Sequence, residues 1–546
     1  MTSFSIEGQY VDIPGRMTYP ARITVENRRI AALQRLPSAG PLFIMPGFVD
    51  AHVHIESSML VPSEFARLAV VQGTVATVSD PHEIANVCGM EGVEYMINDG
   101  KQVNFKFYFG APSCVPATPF ETAGGEISAA DIESLLARND VVYLAEMMNW
   151  PGTVNRDPSV MEKIAIAHKY GKPVDGHAPG LRGDLAERYA SAGISTDHEC
   201  FTAEEALDKL KLGMKILIRE GSAAKNFEAL ADLIDEHSDH LMFCSDDKHP
   251  DNLAVGHINE LVARAVAKGK DLFDVLKIAC INPIEHYKLE VGQLRIGDWA
   301  DFVLVKDLEF FEVVRTFING ELVAEEGRTL IPSVKSTIIN HFQVSTKAQK
   351  DFRITANGKK ARVIEALDGQ LITPEIIGEI KVEDGMAVSN PERDILKIAV
   401  VNRYQDTKPA VAFVKNFGIK AGAIASSVAH DSHNIIAVGV DDASIARAVN
   451  KVIESKGGIV AVFGDRVKAL PLPVGGIMSV GDGYQVAERY TEIDRMAKEM
   501  GSKLQSPFMT LSFMALLVIP DLKLSDKGLF DGGNFRLVDL FPHQEK

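Results

Sequence analysis

The chain contains 546 residues, of which 46% are hydrophobic and 24% are charged. These proportions are typical of globular proteins and exclude disordered and fibrous classes, and a chain of this length should divide into several domains. The formal net charge of −17 opposes a nucleic-acid partner, because Lys and Arg neutralise the phosphates in such complexes.

The cysteines and apolar runs bear on the cellular setting. The start of the chain lacks the basic-then-apolar pattern of a signal peptide, and the longest apolar stretch, residues 510–520, is shorter than the ~20 residues that span a bilayer. We expect a cytoplasmic protein without a membrane partner. A disulfide framework and a zinc-thiolate site are not expected, because five widely spaced cysteines form no CxxC pair: Cys88, Cys114, Cys200, Cys244 and Cys280.

Short β patterns occur on both sides of a long middle region. Residues 21–33 read as two strands joined at an Asn turn, and the apolar run 42–49 follows them. A second β unit lies in residues 297–321. We expect one small sheet domain that is assembled from residues 1–45 plus 290–340.

The middle region, residues 46–289, alternates β-rich runs with helical stretches, which is the pattern of βα units around a parallel sheet. Nearly every predicted strand end carries His, Asp or Glu. The active site of a (β/α)8 barrel lies at the carboxyl ends of its strands, so this distribution favours a barrel enzyme. The eight predicted strand ends are residues 53–54, 78–80, 109–110, 145–146, 175–177, 196–198, 218–220 and 244–246.

Beyond residue 345 the chain shows a new set of apolar runs, at residues 395–401, 410–414 and 458–463, and a helical pattern at 444–455. We expect a separate C-terminal α/β domain over residues 345–546, within the usual domain size.

The pair His52 and His54 is the first candidate for chemistry. Residues two apart on a strand project from the same face, so both imidazoles can reach one metal ion. A chance His-x-His at a strand end is common, and the pair alone is a weak signal. Further candidate ligands follow the fourth, fifth, sixth and eighth predicted strands: Glu146, His177, His198 and Asp246.

Each of these four residues has an ordinary alternative role, such as a buried ion pair, a satisfied polar group or a helix N-cap. Four such accidents at successive strand ends of one barrel are improbable together. Four histidines and two carboxylates are enough to hold two divalent ions that share one carboxylate.

Several segments resemble the bacterial adenine deaminases of the amidohydrolase superfamily, and the resemblance covers most of the chain. His-Ile-Glu-Ser-Ser-Met at residues 54–59 and Asp-Pro-His-Glu at 80–83 are the most specific of them. Residues 175–179, 219–224 and 245–250 add to the resemblance. It implies an amidohydrolase (β/α)8 barrel, a small β-sandwich, a binuclear metal centre and hydrolysis of adenine to hypoxanthine and ammonia.

The resemblance also implies roles for the candidate ligands. His52 and His54 would hold one metal and His177 and His198 the other. Glu146 would bridge the metals, and Asp246 would ligate and act as a base. A Glu in place of the carboxylated Lys of many superfamily members counts against a dihydroorotase or hydantoinase.

The expected chemistry is attack of a metal-activated hydroxide on C6 of adenine. N1 and the leaving amine must each gain a proton, which requires general acid–base groups. We assign Asp246 to the hydroxide proton and Glu56 or Glu83 to the N1 side. The resemblance favours Mn²⁺ or Fe²⁺, and ligand type also admits Zn²⁺.

Candidates for substrate binding are His82, Arg219, Ser222 and Asp247. Plain alternatives stay open: hydrogen bonding to other site residues for His82 and Glu83, an ion pair within the barrel for Arg219, a cap for Asp247 and a surface carboxylate for Glu56.

A C-terminal cluster, His430, Asp431 and His433, lies in one short predicted loop. It is interpreted as a lid over the barrel mouth, a second metal site or a hydrogen-bonded turn, and the sequence does not choose. The alternatives for the whole chain are an amidohydrolase of another aminopurine or cyclic amide and, more remotely, a non-catalytic scaffold. Adenine, water and a second copy of the chain, in a dimer or tetramer, are the expected partners.

Overall fold

The structure is a computed structural model, and it describes residues 3–542. The outermost residues of the predicted first and last domains, 1–2 and 543–546, lie outside the described residues. The helices within residues 3–542 are all too short or too polar to span a bilayer.

The N-terminal part contains four strands, β1 (Ser3–Asp12), β2 (Met17–Glu26), β3 (Arg29–Arg35) and β4 (Phe43–Pro46). The barrel strands follow as β5 (Phe48–Val53), β6 (Thr74–Ser79), β7 (Lys106–Ala111), β8 (Val141–Met147), β9 (Val174–Gly176), β10 (Thr196–Asp197), β11 (Lys215–Arg219) and β12 (Leu241–Cys244). The helices of this region are α1 (Pro62–Ala69), α2 (His82–Gly100), α3 (Ala129–Leu136), α4 (Trp150–Val154), α5 (Pro158–Lys169), α6 (Gly183–Ala190), α7 (Ala203–Lys211), α8 (Phe227–Leu230), α9 (Ile234–His237), α10 (Pro250–Val255), α11 (Ile258–Ala267), α12 (Leu272–Cys280) and α13 (Asn282–Tyr287).

The eight strands β5–β12 are parallel and close into a barrel. Two hydrogen-bonded sheets, β5–β9 and β10–β12, form its wall. The Ser195 amide donates to the Val174 carbonyl at 2.8 Å and joins the two sheets on one side. On the other side the Asp246 amide donates to the His52 carbonyl at 3.0 Å. The predicted barrel is confirmed, and each predicted strand end lies close to an observed one.

The small β domain is a single sheet whose strands come from both flanks of the barrel. The downstream strands are β13 (Phe302–Val305), β14 (Val313–Ile318), β15 (Glu321–Glu325) and β16 (Arg328–Thr329), and the sheet order is β16-β15-β14-β13-β4-β1-β2-β3. Phe4 on β1 stacks on Phe317 on β14 with ring centroids 5.6 Å apart, although β4 and β13 lie between those strands. The sheet therefore folds over its own apolar face.

The C-terminal part contains β17 (Ile354–Thr355), β18 (Lys360–Glu365), β19 (Glu375–Glu379), β20 (Lys381–Glu383), β21 (Met386–Val388), β22 (Ile395–Val401), β23 (Ala410–Lys415), β24 (Ala423–Ser426), β25 (Ile435–Gly439), α14 (Asp442–Glu454), β26 (Gly458–Phe463), β27 (Arg466–Pro471), α15 (Gly483–Glu499), α16 (Pro507–Phe513), β28 (Leu522–Ser525), β29 (Gly528–Asp531) and β30 (Arg536–Val538). Its main sheet has the order β19-β18-β23-β22-β25-β24-β26-β27. Only β18 and β23 pair in parallel in that sheet. The apolar face of α14 packs on it through Ile445, Val449 and Val452.

The C-terminal domain packs on the mouth of the barrel. The Ser479 amide donates to the Met59 carbonyl at 2.8 Å, and the Thr122 hydroxyl in the loop after β7 donates to Asp526 at 2.7 Å. The loop between β24 and β25, residues 427–434, is buried along its whole length. This placement brings C-terminal residues to the carboxyl ends of the barrel strands.

Candidate metal centre

The ends of β5 and β12 bring together the first group of candidate ligands. The Nε2 atoms of His52 and His54 are 3.1 Å apart. Oδ1 of Asp246 lies 3.6 Å from His52 Nε2 and 3.2 Å from His54 Nε2. Asp246 has a φ of 53°, a left-handed conformation that Asp tolerates better than most residues. All three side chains are buried.

Glu146, at the end of β8, lies between this group and a second pair of histidines. Its Oε1 is 3.3 Å from His54 Nε2, whereas its Oε2 is 2.7 Å from His177 Nδ1 and 3.2 Å from His198 Nε2. The structure thus brings all six predicted ligands together. Atoms of His52, His54 and Asp246, and separately of His52, Glu146 and His198, are close enough to hold one ion.

These residues fit a divalent ion by spacing and by charge. Nitrogen and oxygen ligands at about 2.0–2.2 Å from an ion lie about 2.8–3.6 Å from one another, and the His52 and His54 nitrogens, 3.1 Å apart, fall in this range. The ion-pair partners of Glu146 within residues 3–542 are all imidazoles. An ionised carboxylate that is buried without a cation is costly, so a divalent ion would stabilise Glu146 in this position.

A buried ion pair supports Asp246. Nη1 of Arg219 donates to Asp246 Oδ2 at 2.6 Å, and Nη2 donates to Glu199 Oε2 at 3.0 Å. Burial raises the pKa of Asp246, but Arg219 together with His52, His54 and His198 outweighs burial and holds that pKa well below its usual value. Arg219 therefore forms an ion pair within the barrel, which was the alternative role considered for it. Contact of Arg219 with substrate stays a prediction.

Glu199 is a site residue that the sequence analysis missed. Its Oε1 lies 3.6 Å from His177 Nδ1 and 3.5 Å from His198 Nε2. It follows His198 directly at the end of β10, so the rule that located the other strand-end residues could have found it. Its carboxylate stands near the second histidine pair, as Asp246 does near the first.

His82 lies at the start of α2 beside the centre. Its Nδ1 is 3.1 Å from Asp80 Oδ2 and 3.5 Å from Glu146 Oε1, and its Nε2 is 3.5 Å from Asp431 Oδ1. Asp247 accepts a hydrogen bond from the Ser57 hydroxyl at 2.5 Å. His82, Asp247 and Asp431 all line the cavity above the candidate ligands.

Ser222 and Glu56 are among the predicted site residues that do not line that cavity. The Ser222 hydroxyl donates to Asn252 Oδ1 at 2.6 Å and accepts the His249 amide at 2.8 Å, so both hydrogen-bonding functions are used. The strand bearing His54 ends at Val53, and Glu56 lies in a single turn of 3₁₀ helix. Burial raises the pKa of Glu56 to about 7. Glu56 is therefore no surface carboxylate, and neither residue lines the cavity.

The C-terminal domain closes the cavity from above. Its contributions to the wall are two leucines and two residues of the 427–434 loop, namely Leu371, Leu516, His430 and Asp431. The side chains of His430 and His433 both contact the carboxylate of Glu83. This loop occupies the position that a lid would take. A separate metal site in it stays an untested prediction.

An eight-stranded parallel barrel that carries four histidines and two carboxylates at its strand ends defines the class of metal-dependent barrel hydrolases. Residues 43–323 match the model of the amidohydrolase family, and residues 370–536 match that of the adenine deaminase C-terminal domain.

Two similar proteins identify the family within this class of hydrolases. The chain is 56% identical over 541 residues to adenine deaminase of Salinibacter ruber, with 99% of each chain covered. It is 58% identical over 535 residues to adenine deaminase of a Sulfurovum species, with 98% of this chain and 99% of that one covered. The chain belongs to the adenine deaminase family. Among solved structures, a β-aspartyl dipeptidase from Fervidobacterium islandicum is 16% identical with a TM-score of 0.47, and the match covers 60% of this chain and 98% of the dipeptidase.

Proposed function

We propose that the chain hydrolyses adenine to hypoxanthine and ammonia with the help of two divalent ions. The observation that carries the proposal is the position of Glu146 between two histidine groups, beneath a cavity that both domains line. The near full-length similarity to adenine deaminases supports adenine as the substrate.

In this proposal His52 and His54 would hold one ion, His177 and His198 would hold the other, and Glu146 would contribute its carboxylate to the centre. Imidazole and carboxylate donors without a thiolate suit Mn²⁺, Fe²⁺ or Zn²⁺, and the resemblance of the sequence favours Mn²⁺ or Fe²⁺. When bound, such ions supply a water molecule of lowered pKa as the nucleophile.

The reaction requires side chains that accept and donate protons. Addition of water to C6 and loss of the amine place one water proton on the ammonia, and the product carries a proton on N1 that adenine lacks. Asp246 accepts the first water proton, since Arg219 keeps its carboxylate ionised. The N1 proton comes from the side of the cavity where Glu83 lies. His82 and Asp247, which line the same cavity, offer hydrogen-bonding partners for the purine nitrogens.

The test is a substrate panel with metal-loaded protein. Adenine, another aminopurine and a hydantoin are each supplied, and ammonia and the ring product are quantified. We expect turnover of adenine with equal amounts of ammonia and hypoxanthine, and none in protein treated with a chelator. Turnover of the hydantoin or of the other aminopurine, with adenine left intact, would contradict the proposal.

A further inference from the structure

The carboxylate of Glu83 is held on both of its oxygens by the C-terminal domain. Its Oε1 faces His430 Nδ1, and its Oε2 faces His433 Nε2. All three side chains are buried. The barrel supplies the carboxylate and the 427–434 loop supplies both imidazoles, so the pairing exists only where the two domains meet.

A hydrogen bond from the backbone fixes the tautomer of His433. The Ala429 amide donates to His433 Nδ1 at 3.3 Å, so Nδ1 is an acceptor and the proton of the neutral ring lies on Nε2. That N–H donates to Glu83. With both ring nitrogens engaged, His433 acts as a positioning residue that orients Glu83.

One ring nitrogen of His430 contacts Glu83, and the other lies nearest to Asp247, which lines the cavity. With Nδ1 donating to Glu83, its Nε2 is buried and has no hydrogen-bond partner within residues 3–542. The nearest acidic oxygen to Nε2 is Asp247 Oδ1 at 3.7 Å. His430 also lines the cavity above the candidate ligands. Its free nitrogen is therefore available to a substrate there.

The loop that carries the two histidines is held firmly. Arg403 Nη1 donates to the His433 carbonyl at 3.3 Å, the Tyr404 hydroxyl donates to the Ser432 carbonyl at 2.6 Å, and Nδ2 of the Asn434 side chain donates to the Thr122 carbonyl at 2.9 Å. The ring of Phe513 stacks on His430 with centroids 5.3 Å apart. Such support keeps a proton-transfer group in place without reorganisation during the reaction.

We propose that His430 is the residue that protonates N1 of the purine, with Glu83 behind it and His433 orienting Glu83. A carboxylate behind a histidine fixes the ring and stabilises its protonated form. This inference rests on the proposed adenine deamination, and it moves the N1 role from Glu83 to His430. The C-terminal domain thereby becomes part of the catalytic machinery.

The proton count balances. As the oxygen of water bonds to C6, the electron pair of the N1–C6 double bond moves to N1, which takes the Nε2 proton of His430. The water proton released in this step passes to Asp246 and then to the amine, which leaves as ammonia with the electron pair of the broken C6–N bond. The hydroxyl proton lost when the C6 carbonyl forms restores His430.

Five charged or titratable groups near His430 interact with it electrostatically. They are Glu83, Asp247, Asp431, His433 and His249. Burial lowers the pKa of His430, but Glu83, Asp247 and Asp431 together outweigh burial and raise that pKa to about 9. The ring is therefore protonated at neutral pH, as a proton donor must be.

The test compares glutamine substitutions at His430 and at His433. A Gln amide can donate a hydrogen bond from the position of Nε2 but cannot transfer a proton. We expect His430→Gln to lower kcat for adenine by about 10²–10⁴-fold, whereas His433→Gln keeps the donor and loses less than about tenfold. His433→Leu, which lacks the donor, should lose more than His433→Gln. His286 is a half-buried histidine near Ser195 at the opposite end of the barrel strands, and His286→Gln serves as the unaffected control.

Two further readouts separate catalysis from folding. Added imidazole should restore turnover in His430→Ala but not in Asp246→Asn, while metal content and thermal midpoint match the parent. A crystal structure of the parent with hypoxanthine should place His430 Nε2 within hydrogen-bond distance of N1. The inference is overturned if His430→Gln retains activity within tenfold of the parent, or if both Gln variants lose activity equally and imidazole restores none. A parent protein that leaves adenine intact would defeat the proposed function before any variant is made.

Discussion

Removal of the Arg219 guanidinium tests the electrostatic support of the site. In Arg219→Met two buried carboxylates, Asp246 and Glu199, lose a partner that donates at 2.6 and 3.0 Å. Breaking a buried ion pair from one side costs about 3–5 kcal/mol, because the remaining charge stays buried without compensation. For a barrel-sized cooperative unit this corresponds to about 6–20 °C in the thermal midpoint.

The assay is calorimetry of chelator-treated protein, since bound ions would compensate the carboxylates. The matched control is the double variant Arg219→Met with Glu199→Gln, which removes one of the two buried charges left without a partner and should recover part of the lost midpoint. The pKa of Asp246 should rise in Arg219→Met, so the acidic limb of the rate profile of the metal-loaded variant should move to higher pH. A midpoint within about 2 °C of the parent, which is less than 1 kcal/mol, would refute this reasoning.

Three further predictions concern single groups. Asp246→Asn should lower turnover by at least about 10²-fold with the protein still folded, because the amide accepts no proton, and a kcat like that of the parent would refute the assignment. Glu146→Gln should lower the metal content measured by mass spectrometry, whereas unchanged metal binding would exclude Glu146 as a ligand. Lys523 donates to the carbonyls of Leu371 and Phe513, and burial lowers its pKa to about 7. The unfolded chain then binds more protons between pH 7 and the ordinary Lys pKa of about 10.4. Stability should rise with pH across that window, and Lys523→Met should lack this slope in denaturation measurements made across it.

The barrel and its ligands were predictable because two strong regularities coincide. Buried parallel strands read as short apolar runs, and functional side chains collect at their carboxyl ends. His54, Glu146 and Asp246 each lie at or just beyond the carboxyl end of such a strand. Ser222 and Glu56 were harder, because each lies past the strand in a turn whose direction no strand periodicity predicts. The Ser222 hydroxyl donates to Asn252, and Glu56 lies in a buried 3₁₀ segment.

The part played by the C-terminal domain was not predictable from the chain alone. The sequence showed that His430 and His433 share a loop, but their partner Glu83 lies almost 350 residues earlier, at separations of 347 and 350. No local pattern encodes a contact across that distance. The same holds for Leu371 and Leu516, which read as ordinary apolar residues and become cavity walls only when the domains pack. The oligomeric state and the location in the cell stay predictions.

The most direct test of the central claim is a metal titration of the chelator-treated protein with adenine as substrate. Mn²⁺ or Fe²⁺ is added in known amounts, and hypoxanthine formation is followed at each step. The account predicts that deamination appears on metal addition and reaches its plateau at two ions per chain, with Glu146→Gln failing to reach it. Saturation with bound metal and no hypoxanthine, or full activity with one ion per chain, would contradict the account.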